Sequence, residues 1–559
     1  MSIWDFLIVG GGSSGCVLAN RLSARGARVL LLEAGQDTPP GRVPADIEDT
    51  YPRSYSNPNY MWPDLRVHFK PVTAGAPAVR FEQARVMGGG SSVQGMVALR
   101  GLAADYDGWA AAGAEGWDWA GVLPYFRRLE NDWDFGGDLH GKDGPVVIRR
   151  YDSKEWPPFS LAVQQAAINQ GYPLIADMNA YFGDGYGSLP MCKTMEKRVS
   201  SASGYLDEET RRRPNLQISA HTTVEKIVFE RNRAVGVTAI QSGKQVNFRA
   251  LHVVLSSGAI HSPALLMRSG VGAPERVSSL GLPLVAALPG VGQNLQNHVF
   301  LYLAAHLNKD ARQTGSNNPF RSCNYFRFSS GLPGVTNDMV MLILNRTSWH
   351  RLGESIAALG VALYSPYSRG QVTLNSPDPR VEPCVEFNLL QDPRDKNRMV
   401  EGMEFALKLM CDPAVRAIRQ QVFPIAYSER VRKLGNPTRM NAVAAALLSA
   451  IFDGPAFLGD MLLHHAIAPN QPDETKMDKA FLTRTVEESA VGMFHVAGTC
   501  RMGQESDPLA VLDSRCRVRG VEGLTVADAS VMPRIPRANT YLTSVMIAEK
   551  CADLLLEQS

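Results

Sequence analysis

The sequence predicts an α/β fold that opens with a nucleotide-binding unit of the Rossmann type. Three observations carry this prediction: an apolar run, a glycine turn that starts an amphipathic segment, and a second apolar run. The runs at 5–9 and 28–32 are typical of parallel strands that are buried on both faces. Between them, apolar residues recur at helical spacing over 13–24. This order is a β-α-β unit.

Further strands and helices alternate as far as the middle of the chain. Strands are predicted at 146–148, 216–219, 226–230, 235–240 and 252–256. From 300 to 388 the pattern changes to β-rich runs separated by turn residues, such as 339–344 and 371–374, which indicates a second, substrate-facing region. The C-terminal stretch again has the pattern of the N-terminal region, with a strand at 524–527 and a helix from about 541 to 557. We therefore expect the chain to enter the second region and come back.

Composition excludes several classes of protein. The 57 basic residues nearly balance the 55 acidic ones, so no global field favours nucleic acid as a partner. Eight cysteines lie scattered without C-x-x-C or metal-ligand spacing, which predicts reduced thiols and a cytoplasmic protein without a metal. The adjacent His464 and His465 are not expected to bind a metal, because neighbouring helical residues point in different directions.

The longest apolar helix candidate, 442–452, is too short to cross a bilayer. We expect it to pack in the core, and we expect no transmembrane segment.

A glycine-rich motif follows the first predicted strand. Gly10, Gly12 and Gly15, with Ser13 and Ser14 between them, fit G-x-G-x-x-G. The first glycine allows the tight turn, the second lets the backbone approach a pyrophosphate, and the third lets helix and strand pack closely. The helix N-terminus then offers N–H groups and a positive dipole end to the phosphates.

An acidic residue ends the second predicted strand. Glu33, followed by Ala34, is placed to accept hydrogen bonds from ribose hydroxyls and disfavours a 2′-phosphate. This site predicts a dinucleotide without distinguishing NAD from FAD. A second cluster, Gly88-Gly89-Gly90-Ser91-Ser92, offers backbone N–H groups without side-chain bulk, as contact with a planar ring or phosphate requires.

Long motifs identify a family. Residues 87–93 through 100–101 and residues 258–263 through 269–272 resemble the two signatures of the glucose-methanol-choline (GMC) oxidoreductases, and 105–109, 288–295 and 526–530 also match. The resemblance covers essentially the whole chain, and it is strongest to members that oxidise aryl or other activated primary alcohols. It implies an FAD-binding domain interleaved with a substrate domain built on a six-stranded antiparallel sheet flanked by helices.

The resemblance also implies how the domains divide the chain. We assign 1–150, 186–298 and 506–559 to the FAD-binding domain and 151–185 and 299–505 to the substrate-binding domain. The FAD contacts implied are Gly10, Gly12, Ser13, Ser14, Gly15, Glu33, Ala34, Met87, Gly88, Gly89, Ser91, Ser92, Gln94, Gly95, Met96, Val97, Val224, Ser257, Gly258, Asp528, Ala529, Asn539 and Thr540.

The chain departs from the family pattern at three positions. Gln94 stands where asparagine is usual, Asn297 where aspartate commonly precedes a histidine, and Val496 where proline often follows the catalytic histidine. Val93 occupies the position at which some members link FAD covalently through histidine. Valine cannot form that bond, so we expect non-covalent FAD.

Alcohol oxidation needs a base for the hydroxyl proton and an acceptor for the hydride, which flavin supplies. His495 matches the family's base, and Asn539 follows at the spacing of its second active-site residue, from which an amide can donate to the substrate oxygen. Asn539 also precedes the last helix, where it could act as an N-cap. Trp62, Met493 and Phe494 are the candidate pocket residues.

The predicted activity is oxidation of a primary aryl, furanic or otherwise activated alcohol, with dioxygen or a quinone-type acceptor reoxidising the flavin. The alternatives are a dehydrogenase acting on aliphatic or polyether alcohols and a flavin-containing hydroxynitrile lyase. A NAD-linked reductase and a structural flavin-binding protein are further alternatives, but both leave His495 and Asn539 unexplained.

Overall fold

Two large sheets organise the chain, and helices cover their faces. The computed structural model describes residues 3–313, 322–425, 429–455, 461 and 474–557. His464 and His465 lie outside the described residues. The strands are β1 Ile3–Val9, β2 Val29–Leu32, β3 Arg66–His68, β4 Val79–Arg80, β5 Glu130–Asp132, β6 Val146–Arg149, β7 Leu174–Ile175, β8 Gly185–Ser188, β9 Met191–Cys192, β10 Leu216–Ser219, β11 Thr222–Glu230, β12 Arg233–Gln241, β13 Lys244–Leu255, β14 Val271–Gly272, β15 Ala286–Ala287, β16 Val299–Leu307, β17 Asn324–Phe328, β18 Met339–Leu344, β19 Ile356–Leu363, β20 Gln371–Thr373, β21 Cys384–Glu386, β22 Arg419–Ile425, β23 Val491–Gly492 and β24 Leu524–Val526.

The helices of the described residues lie mainly between and outside these sheets. They are α1 Ser13–Ala24, α2 Ala45–Glu48, α3 Ala103–Ala111, α4 Trp119–Leu129, α5 Pro158–Asn169, α6 Ser201–Tyr205, α7 Glu208–Arg211, α8 Gly258–Arg268, α9 Pro274–Ser279, α10 Arg351–Glu354, α11 Pro393–Met410, α12 Pro413–Arg416, α13 Glu429–Gly435, α14 Arg439–Phe452, α15 Lys479–Ser489 and α16 Thr540–Leu556.

The first sheet holds the N-terminal β-α-β unit. Strands β10, β2, β1, β13 and β24 lie side by side and pair in parallel, and β12 and β11 extend the sheet antiparallel from β13. Leu7 and Ile8 in β1 have no exposed surface, as expected for a parallel strand covered on both faces. The predicted α/β class is confirmed, and the C-terminal β24 does return to this sheet.

The second sheet runs in the order β22-β16-β19-β18-β17-β8-β7, with β23 also beside β16. From β22 to β8, six strands pair antiparallel, while β7 pairs with β8 in parallel. The six-stranded antiparallel sheet is therefore present and is extended by two short strands. The proposed boundary between residues 185 and 186 falls inside β8, which pairs within the second sheet. To keep the strand with its sheet, we propose a boundary on the C-terminal side of β8.

Helix α14 corrects one expectation from the apolar pattern. We expected 442–452 to be a core helix, but Val443, Leu447 and Ile451 are exposed, and only a narrow face packs on the second sheet. Alanines supply much of the apolar run, and their small side chains allow a helix to be apolar without being enclosed. No helix among the described residues is long and apolar enough to cross a membrane.

A buried ionic network lies between Arg100 and β6. Glu130, Asp132 and His140 bring three potential metal-ligand atoms within 4.8 Å of one another. Arg100 pairs with Glu130, however, and Arg150 Nη1 lies 2.9 Å from Asp132 Oδ2. Burial opposes a charge on His140, but its hydrogen bonds to Asp132 and other carboxylates, which accept from the ring, outweigh burial and raise the pKa of His140 to about 10. These cations already balance the carboxylates, so the cluster is best explained as a structural network.

Candidate active site

Two positions of the first glycine loop accept only glycine. Gly10 has a φ of +100°, and a Cβ there would lie 2.6 Å from the carbonyl oxygen of Ser256. A Cβ on Gly15 would lie 1.9 Å from the carbonyl oxygen of Gly10, so α1 could not pack against the turn. The roles predicted for these two glycines, a tight turn and close helix packing, agree with these contacts.

Gly12 differs, because the protein itself leaves room for a side chain there. A Cβ would come no closer than 3.7 Å to the carbonyl oxygen of Ser256. Gly12 is the N-cap of α1, and no side chain caps the helix. The first turn of α1 therefore presents N–H groups to the adjacent cavity, which is the arrangement that binds a pyrophosphate.

Glu33 braces the same loop. Its Oε2 accepts a hydrogen bond from the Gly11 N–H at 2.8 Å, and its Oε1 accepts one from the Gly35 N–H at 2.8 Å. Burial raises the pKa of this carboxyl, and the two N–H donors oppose that effect. We predicted only a role towards ribose. Glu33 does line the neighbouring cavity, but it also holds the glycine turn in place.

Two adjoining cavities contain most of the predicted cofactor contacts. The smaller, of about 220 Å³, is lined by Gly10, Gly12, Ser13, Ser14, Glu33, Ala34, Gly89, Val224, Ser257, Gly258, Asp528, Ala529 and Thr540. The larger, of about 960 Å³, is lined by Ser13, Ser91, Gln94, Gly95, Met96, Val97, Asn539 and Thr540. Ser13, Gly90 and Thr540 belong to both, so one elongated ligand can extend from the first cavity into the second.

Four predicted contacts line neither cavity and act from behind the loops. Gly15 packs under the turn, and Gly88 donates its N–H to the Gly11 carbonyl at 2.7 Å. Met87 is fully buried, and Ser92 donates its hydroxyl to the Met87 carbonyl at 2.7 Å. These residues shape the two loops, and their direct contact with a cofactor stays a prediction.

Arg198 is a residue that sequence reasoning missed. Its buried guanidinium donates to the carbonyl oxygens of Ile47, Ser91 and Gln94 and so ties down the second glycine loop. Burial lowers its pKa to about 10. No spacing or motif signals this role, because the partners are backbone atoms of distant segments.

The two predicted catalytic residues meet on the wall of the larger cavity. Asn539 Nδ2 lies 3.0 Å from His495 Nε2. Asn539 occupies the N-cap position of α16, but its side chain makes no cap hydrogen bond. The amide has turned away from the helix towards the histidine. The sequence left open a role towards the substrate oxygen and a role as N-cap; the side chain makes no cap hydrogen bond and contacts His495 instead.

Tyr364 fixes the orientation of that amide. Its hydroxyl donates to Asn539 Oδ1 at 3.2 Å, which leaves Nδ2 to donate to His495. The Tyr364 ring also stacks on His298, with ring centres 4.0 Å apart and planes 8° from parallel. His298 Nδ1 in turn lies 2.8 Å from His495 Nδ1. The four side chains form one continuous hydrogen-bonded and stacked group.

This group determines which nitrogen of His495 carries a proton. Because the Asn539 amide donates to Nε2, that atom must hold a lone pair, and the ring proton lies on Nδ1. Nδ1 then donates to His298. Burial lowers the pKa of His495 to about 3. Burial and the neighbouring His495 keep the pKa of His298 well below its usual value. Both rings are therefore neutral at neutral pH.

A backbone contact explains why asparagine can stand at 297, where the family commonly has aspartate. Asn297 Oδ1 accepts the main-chain N–H of His495 at 3.3 Å. An amide oxygen serves this contact as a carboxylate would, without adding a charge beside the histidines. His298 follows directly in the sequence. The family pattern in which aspartate precedes a histidine was the sequence signal that could have pointed to this ring. Tyr364 had no such signal.

Aromatic side chains line the cavity near His495. Phe494 reaches both cavities and contacts Tyr55 edge to face at 5.4 Å and Phe81 at 5.1 Å between ring centres. Met493 lines the larger cavity, as predicted. Trp62 does not: it lines the smaller cavity, where it stacks on His261 at 4.4 Å. Its assignment to the substrate pocket is corrected accordingly.

Comparison with known proteins agrees with this geometry. The N-terminal GMC oxidoreductase family model matches residues 4–300, and the C-terminal one matches residues 366–548. This chain belongs to the GMC oxidoreductase family. It is 39% identical to the 5-(hydroxymethyl)furfural oxidase of Methylovorus sp. (strain MP688), over 100% of this chain and 99% of that protein. It is 31% identical to an oxygen-dependent choline dehydrogenase of Photobacterium profundum, over 99% and 93% of the two chains.

Solved structures place the fold in the same family. Pyridoxine 4-oxidase from Mesorbium loti superposes with a TM-score of 0.82 at 25% identity and covers 98% of each chain. As a GMC oxidoreductase the protein is an FAD-dependent enzyme that acts on alcohols. The residues present fit that cofactor: an uncapped helix N-terminus faces one cavity, and the second glycine loop opens into the other.

Proposed function

We propose that this GMC oxidoreductase oxidises a primary alcohol carried by an aromatic or furan-like ring to the aldehyde, with dioxygen as electron acceptor. The observation that supports it most is the 3.0 Å contact between His495 Nε2 and Asn539 Nδ2 on the wall of the larger cavity. The names of its relatives, an oxidase of 5-(hydroxymethyl)furfural and a pyridoxine 4-oxidase, favour an oxidase acting on a hydroxymethyl group beside a ring.

His495 is held in the state that a base requires. Its low pKa keeps the ring unprotonated at neutral pH, and Asn539 keeps the lone pair on Nε2. When the alcohol binds, its hydroxyl replaces the Asn539 amide at this single lone pair and donates its proton to Nε2. The imidazolium that results keeps its Nδ1–H directed at neutral His298, which accepts it at 2.8 Å.

Asn539 acts on the oxygen rather than on the proton. As the hydroxyl proton leaves, the oxygen becomes negative, and an amide N–H directed at it stabilises that charge. Tyr364 prevents the amide from turning its own carbonyl towards the oxygen. FAD, when bound, supplies the acceptor for the hydride that leaves the carbon bearing this oxygen. The alcohol thus loses a proton and a hydride and becomes the aldehyde.

The wall beside this pair suits a planar ring. Phe494 and Tyr55 line the larger cavity with their ring centres 5.4 Å apart, and buried Phe81 packs behind Phe494 at 5.1 Å, both within the range of favourable aromatic contacts. The carbon next to an aromatic ring also gives up hydride more readily, because the ring stabilises the developing positive charge.

The test is an anaerobic flavin-reduction screen over aryl, furanic, aliphatic and polyether alcohols, repeated in air with peroxide measured. We expect aryl and furanic alcohols to bleach the flavin fastest and to form peroxide in air. His495→Ala should keep the yellow colour, which shows that FAD still binds, and should slow reduction at least about 100-fold. Near-normal reduction in this variant would remove His495 from its role.

The same screen separates the alternatives. A flavin that bleaches under nitrogen but reoxidises only with a quinone identifies a dehydrogenase and contradicts dioxygen as the acceptor. A flavin that stays yellow with every alcohol, in a protein that cleaves cyanohydrins, identifies a hydroxynitrile lyase and contradicts the whole proposal.

A further inference from the structure

The larger cavity continues past the catalytic pair along one face of the second sheet. Its lining there consists of Phe300 and Tyr302 on β16, Leu342 and Leu344 on β18, Ile356 on β19 and Ile425 on β22. Residues two apart on a strand share a face, so these side chains form a continuous apolar surface across four neighbouring strands.

Two helices close the far side of this surface. Leu434 of α13 and Leu448 of α14 line the cavity opposite the strands. Together with Leu344 and Ile356 they belong to a hydrophobic cluster that is separate from the main core. We call the space bounded by Tyr302, Leu342, Leu344, Ile356, Ile425, Leu434 and Leu448 the distal channel.

Small residues on the central strand keep the distal channel open. Gly360 of β19 pairs with Tyr302 on one side and with Leu342 on the other. A Cβ at Gly360 would lie 2.9 Å from Tyr302 Cε1, so the tyrosine ring lies directly against this glycine. The neighbouring positions on the same face, Ala358 and Ala362, are also small. Larger residues here would lift the ring into the channel.

Two polar side chains beside the distal channel are already bonded within the protein. Trp349 Nε1 donates to the Gly435 carbonyl at 2.7 Å, and His350 Nδ1 accepts the Gly353 N–H at 3.1 Å. Burial lowers the pKa of His350 to about 4, so its ring is uncharged at neutral pH. Arg53 and Lys433 line the cavity where it reaches solvent. Arg432 also lines the larger cavity, where it pairs with Glu82 at 3.0 Å. A ligand between the seven residues of the distal channel meets mainly apolar surface.

We propose that the distal channel binds an apolar tail of the substrate, so that the preferred alcohols are ring-bearing primary alcohols extended by an alkyl chain. This inference rests on the proposed function, because it places the hydroxyl at His495 and the tail in the channel. A compact furan alcohol would leave the channel unused. Each methylene buried there contributes about 0.8 kcal/mol, or about fourfold in binding and in kcat/KM.

The experiment uses the FAD-loaded enzyme and benzyl alcohols carrying 4-alkyl chains from methyl to octyl. We expect kcat/KM to rise about fourfold per methylene until the channel is full, and then to level off. The matching benzyl methyl ethers have no hydroxyl proton to lose, so calorimetry of their binding measures the channel without turnover. Their Kd should fall in parallel.

Two adjacent leucines of α14 give a matched pair of variants. Leu448→Trp should fill the channel and remove the gain from long chains while leaving benzyl alcohol itself unaffected. Leu447→Trp makes the same change on the exposed face and should leave the chain-length series intact. Ile356→Phe narrows the channel from the strand side and repeats the test in case α14 does not tolerate the tryptophan.

The outcomes separate this inference from the proposed function. If benzyl alcohol reduces the flavin but neither kcat/KM nor the Kd of the ethers depends on chain length, the channel proposal is wrong. If no alcohol reduces the flavin, yet ether binding tightens with chain length and Leu448→Trp abolishes that gain, the channel stands and the proposed function fails. Equal loss in Leu447→Trp and Leu448→Trp would also overturn the channel.

Discussion

The hydroxyl of Tyr364 offers a sharp test of how the base is held ready. It donates to Asn539 Oδ1 at 3.2 Å, while its ring stacks on His298 with centres 4.0 Å apart. Tyr364→Phe removes the hydroxyl and keeps the ring, so the stack and the volume are preserved. The single change is that the amide oxygen of Asn539 loses its donor.

The size of the effect follows from burial. Asn539 is 9% exposed, so its carbonyl oxygen is left largely without water to replace the hydroxyl. An unsatisfied buried acceptor costs about 1–3 kcal/mol, and the amide can avoid this cost by rotating. Rotation turns Oδ1 towards His495 Nε2 and favours a proton on that atom, which removes the base. A preference of about 1 to 2 kcal/mol corresponds to a decrease of about 5- to 30-fold in the flavin-reduction rate.

The assay is anaerobic rapid mixing with saturating benzyl alcohol, following the loss of flavin absorbance. Tyr186→Phe is the matched control: the Tyr186 hydroxyl is also buried, but it donates to the Ser160 carbonyl at 2.8 Å and not to the catalytic amide. Both variants should lose similar stability, and only Tyr364→Phe should lose rate. A limiting rate within about twofold of the parent, or equal slowing in the control, would refute the orienting role.

Three further results are expected. Gly12→Ala should fold normally but bind FAD at least about tenfold more weakly, because its methyl group enters the cavity; spectroscopic titration measures the affinity. Gly15→Ala should destabilise the protein by about 1–3 kcal/mol or more, because its methyl group meets the Gly10 carbonyl; denaturant unfolding measures the loss. Precipitation with acid should release all FAD into the supernatant, because Val93 cannot form a covalent link, and colour in the pellet would contradict this. Stability should fall in acid as pH decreases from about 6.5, since the unfolded chain protonates His495 whereas its folded pKa is about 3. It should also fall in alkali between about 6.5 and 10, because the unfolded chain loses the His140 proton there whereas the folded protein, in which the pKa of His140 is about 10, keeps it. Urea unfolding across pH shows both limbs. Replacing His140 should flatten the alkaline limb, and replacing His495 should make the acid limb shallower, since the pKa values of His252 and His350 are also lowered, to about 4.

The elements that could be predicted from the sequence are those in which local pattern and burial agree. Helix α1 and strand β18 have the predicted bounds, because helical spacing of apolar residues predicts the helix and a short apolar run predicts the strand. Gly10 and Gly15 were predictable for the same reason. At Gly15 the need for a residue without a side chain comes from Gly10 of the same motif, whereas at Gly10 it comes from the positive φ of the turn, to which the distant Ser256 carbonyl adds a second constraint.

The rest of the catalytic group was not predictable, because it depends on strand register. Val299 of β16 pairs with Leu363 of β19, so His298 and Tyr364, the next residues outward, come face to face and stack. No local feature of either residue records this. Trp62 was misplaced for a similar reason. It lies in an irregular loop, and its position against His261 is set by contacts between distant segments.

The position of Asn539 links the catalytic group to the cofactor site. A residue that precedes a helix usually caps it, and losing that cap costs about 1 kcal/mol. Here the amide is directed to His495 instead, and α16 begins without a side-chain cap. The helix therefore presents free N–H groups and the positive end of its dipole at Thr540, which lines both cavities. One residue thus positions the base and leaves a site that favours negative charge, such as that of a reduced flavin. Restoring the cap with Asn539→Ser would remove both features at once.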